Sequence, residues 1–230
     1  MKKSDKLLLG GFLAGLLLLS AIHITLYAKY KTGNYTLYNE QENMAAAMQS
    51  FPNIMIVSVR NVHGATVRFG DVAAVEKGDE DYLHYVQKGD TLLITGKTNP
   101  NVDNGWNDVD INLPRNVTLS AFNSSLFFRN SKNSTEPNCA IQLQKSSITL
   151  SGTEAPFRLG NVNVVASDSS TVAFRGNMHV NDLDVKLSNS SIEYNDGAIG
   201  RLTIQTDSAS RISLQAKHLV KASIRPITSQ

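Results

Sequence analysis

From Val117 to Ile224 one short pattern returns with its apolar residues still in register: VTLSAFNSSLFF, IQLQKSSITL, VNVVASDSSTVAF, LDVKLSNSSIEY and LTIQTDSASRISL, with Ala222 to Ile224 beginning another copy. Each unit is an apolar pair spaced by two, a small polar corner, and a second apolar pair spaced by two. The first pairs begin at Val117, Ile141, Val162, Leu183, Leu202 and Ala222, so the steps by residue number are 24, 21, 21, 19 and 20. Periods in the twenties belong to stacked coils, in which no unit can bury its apolar face without a neighbour.

Spacing by two puts both members of a pair on one face of a β-strand. The corners Asn123-Ser124-Ser125, Ser146-Ser147, Asp168-Ser169-Ser170, Asn189-Ser190-Ser191 and Ser208-Ala209-Ser210 carry side chains that hydrogen-bond nearby backbone and tolerate sharp bends. A weaker third apolar group follows at Phe157 and Leu159, Met178 and Val180, Ile199, and Leu219. Three strands per turn make a triangular solenoid whose coils stack about 4.8 Å apart. Its inward columns are expected to include Leu119, Leu143, Val164, Val185, Ile204 and Ile224. Burying one Val or Leu gains ~1.5–3 kcal/mol, little more than the ~1–2 kcal/mol of ordering one residue of backbone, so the core must be continuous through the stack. An antiparallel β-sandwich also shows short alternating strands and frequent turns, but it does not require the corner to recur at one place in each unit.

The 230-residue chain suits one folded domain plus a short appendage. A net charge of +2, with no basic run interleaved with aromatics, argues against nucleic acid as a partner. The single cysteine, Cys139, excludes an intrachain disulfide and reads as a small buried or corner thiol.

Residues 1–6 hold Lys2, Lys3 and Lys6 and are expected on the cytoplasmic side; Leu7 to Ala28 then runs for 22 residues without a formal charge. Such a helix spans about 33 Å, enough to cross a bilayer. Leu26-Tyr27-Ala28 has Leu where a signal-cleavage site needs a small residue, which favours an uncleaved anchor over a secretory signal. Gly11 and Gly15 form a small-xxx-small pair that could seat a second helix and so dimerise the chain. Residues 29–50 read as a juxtamembrane stalk, with a possible strand at Tyr35 to Leu37. A capping box at Asn39 and Glu42 opens an Ala-rich helix from Glu40 to Gln49.

The domain is expected to start at Phe51. Ile54 to Val59 is apolar on both parities, as in a strand covered on both faces, and Ala65 to Phe69 follows. Tyr82 to Val86 and Thr91 to Thr95 flank Gln87-Lys88-Gly89-Asp90, a hairpin signal.

The segments FPNIMIVSVRNVHGATVRFGDVAAVEKGD, YLHYVQKGDTLLITG and VDINLPRNVTLSAFNSSL, followed by the Ser-rich coils, resemble the GIN-type auto-transporter adhesin head domain family of extracytoplasmic bacterial proteins. The resemblance covers about Phe51 to Ile224 and implies a right-handed parallel β-helix with an N-terminal strand and hairpin region. The motifs are structural, and the functions of the family's members are largely unassigned. Many relatives look secreted or lipid-anchored, so the apparent membrane anchor is a departure.

Motifs that could carry chemistry are weak. Gly96-Lys97-Thr98 ends like a P-loop, but the earlier glycine is missing and Asn99-Pro100 follows where a helix should begin. Asn99, Asn101, Asp103 and Asp110, with Asp108 nearby, are spaced like a calcium loop but lack its glycine and terminal glutamate. The five histidines have no ligand spacing, so no metal or cofactor is expected. Asp182 and Asp184 share an outward strand parity, the remnant on which an alternative reading as a carbohydrate-active enzyme on a β-helix would have to be built. Trp106, flanked by Gly105 and Asn107 in a polar loop, is the candidate partner-binding residue, with Asp103 and Asp108 beside it; alternatively it covers the end of the solenoid. The expectation is a non-enzymatic binding, adhesion or scaffold module. It would be held in a bacterial inner membrane by one helix with residues 51–230 in the periplasm, facing an envelope protein or glycan. The other placement is secretion, or the outer envelope, after signal cleavage.

Overall fold

The structure, a computed structural model, describes residues 3–31, 48–77, 82–97, 109–129 and 136–227. They fall into two compact units, Met1–Ala46 and Ala47–Gln230. The first contains helix α1, Lys3–Lys31, whose segment Leu9–Lys29 is long and apolar enough to cross a membrane, as an anchor or a signal sequence would be. Its polar side chains are answered within the helix. Ser20 Oγ donates to the Leu16 carbonyl at 2.8 Å, Thr25 Oγ1 to Ala21 at 2.7 Å, and His23 Nδ1 lies 3.0 Å from the Leu19 carbonyl. Groups bonded four residues back need no water, which is the condition for placing them in hydrocarbon.

The second unit is a β-solenoid of about five turns. Its strands are β1 (Met48–Phe51), β2 (Ile56–Arg60), β3 (His63–Phe69), β4 (Ala73–Glu76), β5 (Leu83–Lys88), β6 (Thr91–Gly96), β7 (Asp110–Leu113), β8 (Val117–Phe122), β9 (Ser125–Arg129), β10 (Cys139–Gln144), β11 (Ser147–Ser167), β12 (Thr171–Ser188), β13 (Ser191–Tyr194), β14 (Ala198–Thr206), β15 (Arg211–Leu214) and β16 (Ala222–Pro226); a single-turn helix α2 (Ala216–Leu219) precedes the last. β11 and β12 bend through corners and serve more than one face.

The first face stacks in the order β5-β6-β2-β8-β10-β11-β12-β14-β16, and every pair is parallel except the β5–β6 hairpin. That hairpin closes with Lys88 opposite Thr91, and Gly89 at φ 63° supplies the left-handed residue of the turn. The second face runs β1-β4-β7-β3-β9-β11-β12-β13-β15. At its start β1, β4 and β7 pair antiparallel.

The stack is not in chain order. Residues 56–69 form a coil, β6 and β7 lie on one side of it, and the chain then crosses to the other side at Val117 to build all later coils. β2 therefore has strand neighbours on both edges rather than cover on both faces. Val57 and Val59 are fully buried, whereas Met55 is 58% exposed and Ile56 lies on the open side. The Ala-rich helix expected up to Gln49 is cut short: residues 40–47 lie outside those described, and Met48 already begins β1.

Register corrects the repeat in one place. Leu119 is level with Ile141, not Leu143, and the column continues through Val164, Val185, Ile204 and Ile224. Leu143 belongs to the neighbouring column with Ala121, Ala166 and Leu187. Cys139 stands level with Val117 and Val162, so it is the first inward residue of its coil and the true steps are 22, 23, 21, 19 and 20. A buried thiol packs as a small hydrophobe, so the apolar pair had been placed two residues late. Third-face residues Phe157 and Leu159 are level with Met178 and Val180, and Val180 with Ile199, as expected. Leu219 is not: it lies exposed on α2, and His218 takes the inward position, edge-on to the Tyr194 ring at 4.7 Å.

The first corner explains the recurring serine. Asn61, Asn123, Lys145, Asp168, Ser169 and Asn189 all have positive φ, which turns the chain off the first face. One or two residues on, Ser124, Ser146, Ser170 and Ser190 are buried in a ladder. The hydroxyl of Ser146 accepts from the Ser124 N–H at 3.1 Å, Ser170 from Ser146 at 3.2 Å, Ser190 from Ser170 at 3.3 Å, and Ser210 from Ser190 at 3.2 Å. Each of the first three donates to a carbonyl of its own coil, at 2.6–2.9 Å. The ladder ends on Asp207, whose carboxylate accepts from Ser210 Oγ at 2.6 Å, Asn189 N at 2.8 Å, Ser188 Oγ at 3.2 Å and Ala209 N at 3.2 Å. At the next corner Gly152 is level with Gly176, and a Cβ on either would strike a backbone carbonyl of the adjoining coil.

Candidate functional site: the neutral outer face of the first sheet

Strand alternation decides what the first face presents to solvent. Between β6 and residue 167 its outward rows are Thr91, Ile56, Thr118, Ala140, Asn163, then Leu93, Ser58, Ser120, Gln142, Val165, then Thr95, Arg60, Phe122, Gln144, Ser167. Arg60 alone is charged in these rows, and the next coil restores charge with Asp184 and Lys186. Elsewhere the outward positions carry ion pairs. Arg68–Asp110 at 2.6 Å and Arg175–Glu193 at 3.9 Å lie on the second face, and Arg158–Glu136 at 3.5 Å and Arg201–Asp182 at 2.9 Å on the third face and its corner.

Two shallow grooves mark this neutral face. One, of about 450 Å³, is bordered by Arg60, Ser120, Phe122, Gln142, Gln144 and Val165; the other, of about 340 Å³, lies toward the start of the same strands along Asn116, Thr118, Asn138, Ala140 and Asn163, with Asp184 at its edge. Phe122 is 39% exposed and Val165 41%. Both sit where the parity of their strands is otherwise polar: Thr118-Ser120-Phe122 and Asn163-Val165-Ser167. That mismatch is the sequence signal for the face, and it is weak beside the regular inward positions of the repeat. Gln144 is held by its amide donating to Asp168 at 2.7 Å, and Asn138 by donating to Asn116 at 3.2 Å.

Trp106, Asp103 and Asp108 lie outside the described residues, as do Asn99 and Asn101. Asp110, the last residue of the calcium-like spacing, is in β7 and paired with Arg68. Gly96 ends β6 and Lys97, in no helix, donates its N–H to the Tyr82 carbonyl at 2.8 Å; the residues after it lie outside those described. Asp182 is engaged by Arg201, which separates it in role from Asp184. Among the described residues no group of three or more His, Cys, Asp or Glu is gathered as metal ligands would be. Cys139 is buried and loses its solvation, which pushes its thiol up to about 12, far from a nucleophile's range. Gly11 and Gly15 lie in open space on α1.

No protein-family model and no curated protein matches the chain. Among solved structures, a crystal structure described as a "putative cell adhesion protein" from Clostridium sporogenes ATCC 15579 is similar at 10% identity over 78% of this chain and 93% of its own, with a TM-score of 0.27. A likeness that slight leaves function to the chain's own surfaces.

Proposed function

We propose that the protein is a single-pass, membrane-anchored extracytoplasmic binding module, with α1 as the anchor and the neutral first face of the solenoid as its contact surface. It acts by association without turnover, as an adhesion or envelope-scaffold element of the GIN type that its segments resemble. The reading rests on one observation: a sheet face without ion pairs, grooved and bearing Phe122 and Val165 in the open, on a molecule whose other faces carry several ion pairs. Exposed aromatic and apolar side chains among uncharged polar ones cost little to desolvate and provide contact area. The apolar span Leu9–Lys29, the lysines before it and the i−4 bonding of its polar residues support the anchor. An enzyme on this scaffold would need carboxylates converging on one face, and Asp182 is already committed to Arg201.

A photo-crosslinking residue at Val165 in the full chain, in its native envelope, should capture a partner, while the same residue at Thr149 on the second face should not. Equal capture at both sites, or none at Val165, would reject the surface.

A further inference from the structure

We infer that the neutral first face binds an uncharged glycan chain, with a sugar ring stacked on Phe122 and the neighbouring amides and hydroxyls bonded to its hydroxyl groups. The inference rests on the reading of that face as the contact surface.

Four features point to this ligand chemistry. First, Phe122 is part exposed on the sheet, level with Arg60 on one neighbouring strand and with Gln144 on the other. A phenyl face offers a flat apolar platform with a negative quadrupole, which suits the C–H-lined face of a pyranose. Second, Gln142, Ser120 and Asn163 make no side-chain hydrogen bond among the described residues, and they offer both donors and acceptors along the grooves. A sugar hydroxyl is itself donor and acceptor, so such groups can pair with it completely. Third, Arg60 is the one charge in these rows and the carboxylate of Asp184 borders the second groove, whereas a polyanionic glycan would call for a row of cations. A protein partner would be expected to meet an interface core enriched in aromatic residues, Met and Arg, rather than Ser, Thr and Gln. Fourth, the rungs repeat every 4.8 Å or so, close to the length of one pyranose unit, so the level residues Ser120, Gln142 and Val165 meet successive sugars of a chain lying across the strands.

The test is calorimetry on the full chain in detergent micelles with chitohexaose and cellohexaose as neutral probes and hexagalacturonate as the charged one. At least one neutral hexasaccharide should bind, and Phe122→Ala and Gln142→Ala should each weaken it about tenfold, some 1.4 kcal/mol, with melting temperature unchanged. Thr149→Ala should change nothing. Binding by neither neutral probe, binding that survives Phe122→Ala, or preference for hexagalacturonate would overturn the inference. If neither neutral probe binds while crosslinking at Val165 still captures a partner, such as a second copy of this chain, the glycan inference falls and the contact surface stands. If both fail, both fall.

Discussion

At the scale of single residues the corner serines do more than turn the chain. The hydroxyl of Ser146 closes one bond to the coil before it and one within its own coil, and it sits out of water. Ser146→Ala leaves the Ser124 N–H without that acceptor in a buried corner, and stability should fall by about 1–3 kcal/mol on chemical unfolding. Asp207 ends the ladder, and its carboxyl is held below the usual range, first by the Ser210 hydroxyl and then by the Asn189 N–H. Its folded pKa lies under its unfolded one, so the stability it contributes is present above the ordinary carboxylate value of about 3.9 and is lost as pH falls through the folded value. Asp207→Asn should therefore lower the melting temperature at pH 7 and have little effect near pH 2; an equal deficit at both would show that the charge is not what matters. The serine at each corner was legible in the sequence because one chemistry recurs at one place. Cys139 as the first inward residue of its coil was not, because a thiol does not read as part of an apolar pair and Ile141 and Leu143 after it form an equally regular one.

At the scale of elements, inside and outside are set by strand parity. Val164 and Ile204 are fully buried in one column, while Asn163 and Gln205 are exposed beside them. Val164→Asp and Ile204→Asp put an unpaired charge into that column and should each prevent stable folding, whereas Asn163→Asp and Gln205→Asp should melt within a degree or two of the parent. Helix α2 shows a different device. Its His218 rests on Tyr194, which stacks on Phe174 at 4.9 Å, and Nε2 has no hydrogen-bond partner among the described residues. Burial, then Lys217 and Lys221, hold His218 below its usual pKa, against a smaller pull from Asp196. The unfolded chain takes up the proton first, so stability should fall as pH drops below about 6.5. His218→Phe should remove that part of the pH dependence, read as a smaller loss of melting temperature between pH 7.5 and 5.5 than the parent shows. Parallel coils could be read from the period, but α2 could not, since Leu219 keeps the spacing of the third apolar group while one turn of helix brings His218 inward instead.

At the scale of the whole molecule, the departure from chain order had no signature in the sequence. Residues 56–69 carry the same strand-corner-strand arrangement as later coils, and nothing local shows that β6 and β7 will lie on their far side. Pairing in register with two partners fixes it, a non-local property. The candidate face was half legible: Phe122 and Val165 break the polar parity of their strands, but only stacking reveals that they share one surface with a single charge in its rows, Arg60. Trp106, the loop candidate for a partner contact, lies outside the described residues. The account joins two statements, that this face is open and that it lies outside the membrane on an anchored chain. Both are read at once by a membrane-impermeant maleimide on Val165→Cys in intact spheroplasts, where buried Cys139, its thiol pushed up to about 12, stays silent. The account predicts labelling as strong before lysis as after, on a protein that sediments with membranes. Labelling only after lysis, or only after unfolding, would contradict it.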